Sequence, residues 1–116
     1  MRIVNLRNQQ IISTDLKICQ TAWSRFWGMM FLVRFKYAYL FFFKKPVKVV
    51  WHMFFVFFKI DVVFMRDDVV VEYKLDFRPF HIYKQNELAD VVLELESGSI
   101  KRLGLMVGDR LEVCLS

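Results

Sequence analysis

Hydrophobic and polar residues alternate with a period of two over much of the chain, and that alternation predicts strands. It is cleanest over residues 69–77, where Val69, Val71, Tyr73, Leu75 and Phe77 fall on one face and Glu72, Lys74 and Asp76 on the other. This is the pattern of a half-buried strand. Arg66-Asp67-Asp68 separates it from the apolar segment 59–65, so the two read as a hairpin around a short acidic turn that lacks the usual glycine. Three further strands carry the same period, at Leu16 and Ile18, at Val91, Leu93 and Leu95, and at Leu111, Val113 and Leu115. One segment has helical spacing: Thr21 can cap, Trp23, Phe26, Trp27 and Met30 gather on one face, and Gly28 ends it. One short helix near 21–28 is expected, its stripe used for core packing.

The middle of the chain breaks the alternation. Between Trp51 and Met65 the only polar residues are His52, Lys59 and Asp61. Met53, Phe55 and Phe57 interleave with Phe54, Val56 and Phe58, so a strand here is apolar on both faces. Both faces then need cover, from a second sheet and from the helix, a partner subunit or a ligand. Phe41-Phe42-Phe43 sets the same requirement in a neighbouring segment, while Pro46 and Pro79 mark strand entries or bends.

Composition narrows the class. A chain of 116 residues is read as one domain, 1–116, and 56% hydrophobic with 25% charged residues argues against disorder. The apolar run falls short of the ~20 residues a spanning helix needs, so no membrane span is expected. The N-terminus lacks the pattern of a secretory signal, and the protein is read as cytoplasmic. Cys19 and Cys114 lie far apart in alternating segments, where a thiol acts as a small hydrophobe rather than as half of a disulfide. Charge is uneven, with a balance of +9 over residues 1–60 and −4 over 61–116.

Few residues carry recognisable chemistry. An ionised Asp61 inside an apolar run must be paired, hydrogen-bonded or at a cavity wall. Arg25 or Lys59 can pair with it, since Lys59 and Asp61 share a strand face. The other readings are a polar anchor for a ligand and a general acid or base with a raised pKa. His52 and His81 are the only histidines and belong to no spaced pair, so no metal and no cofactor are expected. No nucleophile elbow appears, and the two glycines of 103–109 fit a tight turn whose Asp109 caps backbone amides. The basic cluster Arg34, Lys36, Lys44, Lys45 and Lys48 interleaves with Tyr37, Tyr39 and Phe41-Phe42-Phe43. Cations beside rings suit single-stranded nucleic acid; with the rings turned inward, the lysines only solvate and protect an edge strand.

Several segments, in order, resemble a known family. They are Arg25-Phe26-Trp27-Gly28-Met29-Met30-Phe31, Ala38-Tyr39-Leu40-Phe41-Phe42-Phe43, and the stretch from His52 to Phe64 that contains Lys59-Ile60-Asp61. Ala89-Asp90-Val91-Val92-Leu93-Glu94-Leu95-Glu96-Ser97-Gly98 and Leu103-Gly104-Leu105-Met106-Val107-Gly108-Asp109-Arg110-Leu111 complete the set. From about residue 15 to 113 the chain is similar to the family called domain of unknown function 192. The resemblance implies a mainly β fold, a compact barrel-like or jelly-roll-like sandwich with a short helix after the first hairpin. The chain departs from the family pattern at Trp27, where a basic residue is common, at Lys59, where proline often stands, and at Asp68, where glycine often completes the turn. The family has no established general activity, so no reaction is implied.

These readings describe a small non-catalytic β-sandwich binding module. Its pocket or groove would be lined by Tyr39, Trp51, Met53 and phenylalanines such as Phe55, with His52 and Asp61 as polar groups, for a small molecule or a partner. The same apolar surface suits a homodimer interface. Two alternatives come from other classes: nucleic-acid association through the basic segment 34–48, and an enzyme using Asp61 as acid or base.

Overall fold

Why residues without alternation form strands is answered by the layers on either side of them. The computed structural model describes residues 2–13, 16–19, 38–48, 50–52 and 58–114. In chain order the elements are β1 (Arg2–Asn5), β2 (Ile11–Ser13), β3 (Leu16–Cys19), β4 (Ala38–Val47), β5 (Val50–His52), β6 (Ile60–Arg66), β7 (Val69–Phe77), β8 (Ile82–Lys84), β9 (Ala89–Glu96), α1 (Ser99–Leu103) and β10 (Leu111–Cys114). A five-stranded sheet in the order β3-β4-β9-β6-β7 forms the middle layer. Its β3–β4 pair is parallel and its other pairs are antiparallel. One face packs on α1 and the three-stranded sheet β10-β1-β2 through Ile3, Leu40, Val63, Leu93, Ile100 and Leu111. The opposite face, with Tyr39, Phe41, Val62, Phe64, Phe77 and Val92, lies under the ribbon β5-β8. The result is a mainly β, sandwich-like fold, with no closed barrel among the described residues.

Burial on both faces accounts for β6, in which every residue from Ile60 to Met65 is buried. A two-sided strand reads as a continuous apolar run. β4 obeys the same rule: Phe41 is buried in the aromatic core with Phe43 packed against it, while Phe42 packs on the other core.

The hairpin of β6 and β7 forms around Asp67 and Asp68, whose φ values of 54° and 66° are those of a type I′ turn. The half-buried face assigned to β7 needs correction. Its register shifts twice against β6, so Val71 joins Glu72 and Lys74 on the aromatic side and Phe77 returns there after a second bulge. Glu72 is consequently buried and Tyr73 exposed, the reverse of simple alternation. The helix expected near 21–28 lies outside the described residues. The short helix α1 is entered through Gly98 at φ 93° and closed by Gly104 at φ 65°, conformations that favour glycine. No helix among the described residues is long and apolar enough to cross a membrane.

Candidate functional site

Register places the side chains of the aromatic face in rows. Tyr39 pairs with Glu94, Glu94 with Val62, and Val62 with Lys74; the next row is Phe41, Val92, Phe64 and Glu72. Trp51 and Tyr83 pair across the β5-β8 ribbon and meet these rows from above. The Trp51 ring lies 6.2 Å from Phe41, 6.4 Å from Phe43 and 6.0 Å from Phe64, centroid to centroid. Tyr83 stacks on Phe64 at 5.8 Å and meets Phe77 edge-on at 6.2 Å. These are the separations at which rings attract beyond their area burial.

Polar contacts fix the ribbon in place. Trp51 Nε1 donates to Gln85 Oε1 at 3.0 Å, and Gln85 Nε2 donates to the carbonyls of Val47 and Glu87, each at 2.6 Å. The Glu72 carboxylate accepts the Tyr83 hydroxyl together with the amides of Asn86 and Glu87, at 2.9 and 2.8 Å. Burial first, and the Glu72 carboxylate second, push the Tyr83 phenol up to about 12. It therefore stays a hydrogen-bond donor across the physiological range.

Glu94 is different. It is 5% exposed, its Oε2 has no hydrogen-bond partner, and burial pushes its carboxyl up to about 8. Burial thus favours its protonated form, flanked in the sheet by Tyr39 and Val62. A buried polar oxygen without a partner costs on the order of 1–3 kcal/mol, a cost that native sheets rarely carry without a use.

Asp61 does not belong to this face. Ile60, Val62 and Phe64 point toward the rings, and Asp61 points with Val63 and Met65 toward α1. Its Oδ1 accepts the amide of Asp76 at 3.0 Å, and its Oδ2 accepts those of Gly98 and Ile100 at 3.1 and 3.0 Å. The partners are backbone amides where a cation was expected. Lys59 is exposed and acts on Asp76, and Arg25 lies outside the described residues. The bulge in β7 explains the arrangement: it strips Asp76 of its ladder partner, and Asp61 supplies a substitute.

The structure thus brings Tyr39 and Trp51 together and separates Asp61 from them. His52 pairs with Ile82 on the ribbon, while Met53 and Phe55 lie outside the described residues. Lys44, Lys45 and Lys48 are exposed at the end of β4, and Arg34 and Lys36 are not described. Tyr39 and Phe41, which interleave with the basic cluster in sequence, are buried in the core. Sequence reasoning missed Glu94, although Val92 between Asp90 and Glu94 was a signal that this face of β9 is not simply solvated. Asp109 does cap, accepting the Met106 amide at 2.9 Å, and it also takes Asn5 Nδ2 at 2.8 Å and Arg7 Nε at 2.6 Å. Cys114 is a free thiol. Among the described residues no group of three His, Cys, Asp or Glu could hold a metal ion.

The model of the family DUF192, described as "Uncharacterized ACR", matches residues 3–113. No curated protein matches the chain. Two solved structures do. A protein of Sinorhizobium meliloti 1021 described as a putative transcription regulator is 25% identical, with a TM-score of 0.84 over 96% of this chain and 89% of its own. A protein of unknown function from Novosphingobium aromaticivorans DSM 12444 is 19% identical, with a TM-score of 0.83 over 97% of this chain and 82% of its own, a likeness of fold.

Proposed function

The chain belongs to the DUF192 family, and we propose that it is a small non-catalytic β-sandwich module that binds a small molecule on its aromatic face. Glu94 carries the reading: a buried carboxyl with an unpartnered oxygen supplies the hydrogen-bonding group, and the half-buried Trp51 and Tyr83, backed by the fully buried Tyr39 and Phe64, supply the apolar surface. Such a composition, apolar walls with few polar groups, is that of small-molecule sites. Asp61 contributes indirectly, by holding the bulge of β7 and the entry to α1 in register. Among the described residues no group of three His, Cys, Asp or Glu could hold a metal ion, and no reaction is proposed.

A panel of small aromatic amides, amines and carboxylic acids at millimolar concentration tests the reading, with the Trp51 indole N–H resonance as reporter. Hits should shift Trp51 and Tyr83 in the wild type and lose affinity in Glu94→Gln. A panel without a hit removes the reading.

A further inference from the structure

A groove of about 380 Å³ runs between the end of β7 and the start of β8, lined by Lys74, Asp76, Phe77, Arg78, His81 and Ile82 among others. Its volume falls within the range of small-ligand sites. Ile82, 63% exposed, forms an apolar wall of it, while the Phe77 ring stays buried in the aromatic core behind. The Lys74 ammonium is held 5.8 Å over the Tyr83 ring, which fixes its direction while leaving its N–H groups open to a ligand. Arg78 is exposed and begins a turn that the His81 amide closes onto the Arg78 carbonyl at 3.2 Å.

Charge decides what such a groove attracts. Asp76 is its single carboxylate, and that group already accepts the Ser97 hydroxyl. The Ser97 hydrogen bond, with Lys59, Lys101 and Arg78, holds its carboxyl below the usual range. In the lining itself Lys74 and Arg78 stand against one carboxylate that is already hydrogen-bonded, and the excess is positive. Arginine offers a planar fork matched to phosphate oxygens, and lysine offers a point charge.

We propose that this groove binds a phosphate-bearing aromatic ligand, with the phosphate on Arg78 and Lys74 and the planar ring against the exposed Ile82 side chain. The groove adjoins the aromatic face, since Lys74 lies over the Tyr83 ring, but Arg78 belongs to the groove alone, so Arg78→Gln tests it without touching Glu94. A free mononucleotide and a single-stranded nucleic acid share this chemistry.

Adenosine monophosphate, inorganic phosphate and an eight-nucleotide oligothymidylate, each titrated into the full chain at low salt and followed by amide NMR, test the proposal. Adenosine monophosphate should shift residues 74–82, with affinity about tenfold weaker in Arg78→Gln and in Lys74→Gln and unchanged in Lys45→Gln. Tighter, steeply salt-dependent binding of the oligonucleotide identifies the strand as the source, and no gain over the mononucleotide identifies the free nucleotide. Absence of shifts with both nucleotide probes overturns the proposal. So does an unchanged affinity in Arg78→Gln, and so does inorganic phosphate binding as tightly as adenosine monophosphate.

Discussion

Asp61 Oδ1 accepts the backbone amide of Asp76 at 3.0 Å, which joins a buried carboxylate on the central strand to the bulge of its neighbour. Its second oxygen takes two amides where the chain turns from β9 into α1. One side chain thus sets the position of three elements. A carboxylate in an apolar strand is tolerated here because backbone N–H groups replace the water it gives up.

Removing that acceptor leaves the amides of Asp76, Gly98 and Ile100 without partners. Asp61→Ala should cost about 3–5 kcal/mol in urea unfolding, from about 1–3 kcal/mol for each orphaned group with partial relaxation. Amide exchange at the same three positions should accelerate selectively. A loss under about 1 kcal/mol would refute the anchoring role.

Part of the fold could be read from the residues, while β1, β2, β5, β8 and α1 carried no signal that was read. The strands around Leu16, Val91 and Leu111 and the hairpin at Asp67-Asp68 follow from period and turn position. The strand expected to be apolar on both faces, 53–58, lies outside the described residues except for Phe58, and the two-sided burial that is seen belongs to β6, whose apolar run Asp61 interrupts. The bulges in β7 could not be read, because they depend on register against β6 and reverse the exposure of Glu72 and Tyr73. The site was less legible for the same reason. Asp61 stood out by its apolar surroundings, but the facing of its side chain and the three amides that meet it, from residues 15 to 39 positions away, are set by tertiary packing. Glu94 resembled an ordinary solvated glutamate because its burial is set by tertiary packing of strands distant in sequence, with Tyr39 and Val62 on either side of it.

Asp67 and Asp68 carry φ values that glycine adopts without cost. Asp68→Gly should stabilise the protein by about 0.5–1 kcal/mol, since the relief of left-handed strain exceeds the added entropy of the unfolded chain. Thermal unfolding by circular dichroism measures it, and a lowered midpoint would contradict the assignment of the turn.

The Arg7 guanidinium is the first cause holding the Asp109 carboxyl below its usual range, followed among the favourable contacts by the Met106 amide and Asn5. A depressed folded-state pKa gives stability that is present above the unfolded value and lost as pH falls through the folded one. Arg7→Ala should therefore raise the pH of acid unfolding and change stability at pH 7 only slightly, because Arg7 is 45% exposed on its side chain. Asp109→Ala should cost about 2–4 kcal/mol at pH 7, because it strands the buried Asn5 amide. Equal effects of the two substitutions in urea unfolding would rule out this division of roles.

Glu94 acts on stability with the opposite sign. Its folded-state pKa is raised, so the folded protein binds more protons than the unfolded chain between about pH 4.5 and 8, and stability falls as pH rises through that window. The full loss is on the order of 3–5 kcal/mol. Glu94→Gln should resemble the wild type at pH 5 and be the more stable protein at pH 9. Parallel stability curves for the two proteins across this window would contradict a sealed acid.

The most direct test of the aromatic-face reading is the titration of Glu94 itself, followed through its side-chain carboxyl carbon by NMR with Glu94→Gln to assign the signal. A midpoint near pH 8 is predicted for an acid buried between Tyr39 and Val62. A midpoint near 4.5, the ordinary value for glutamate, would mean that water reaches the carboxylate, and the binding site argued from its isolation would fall.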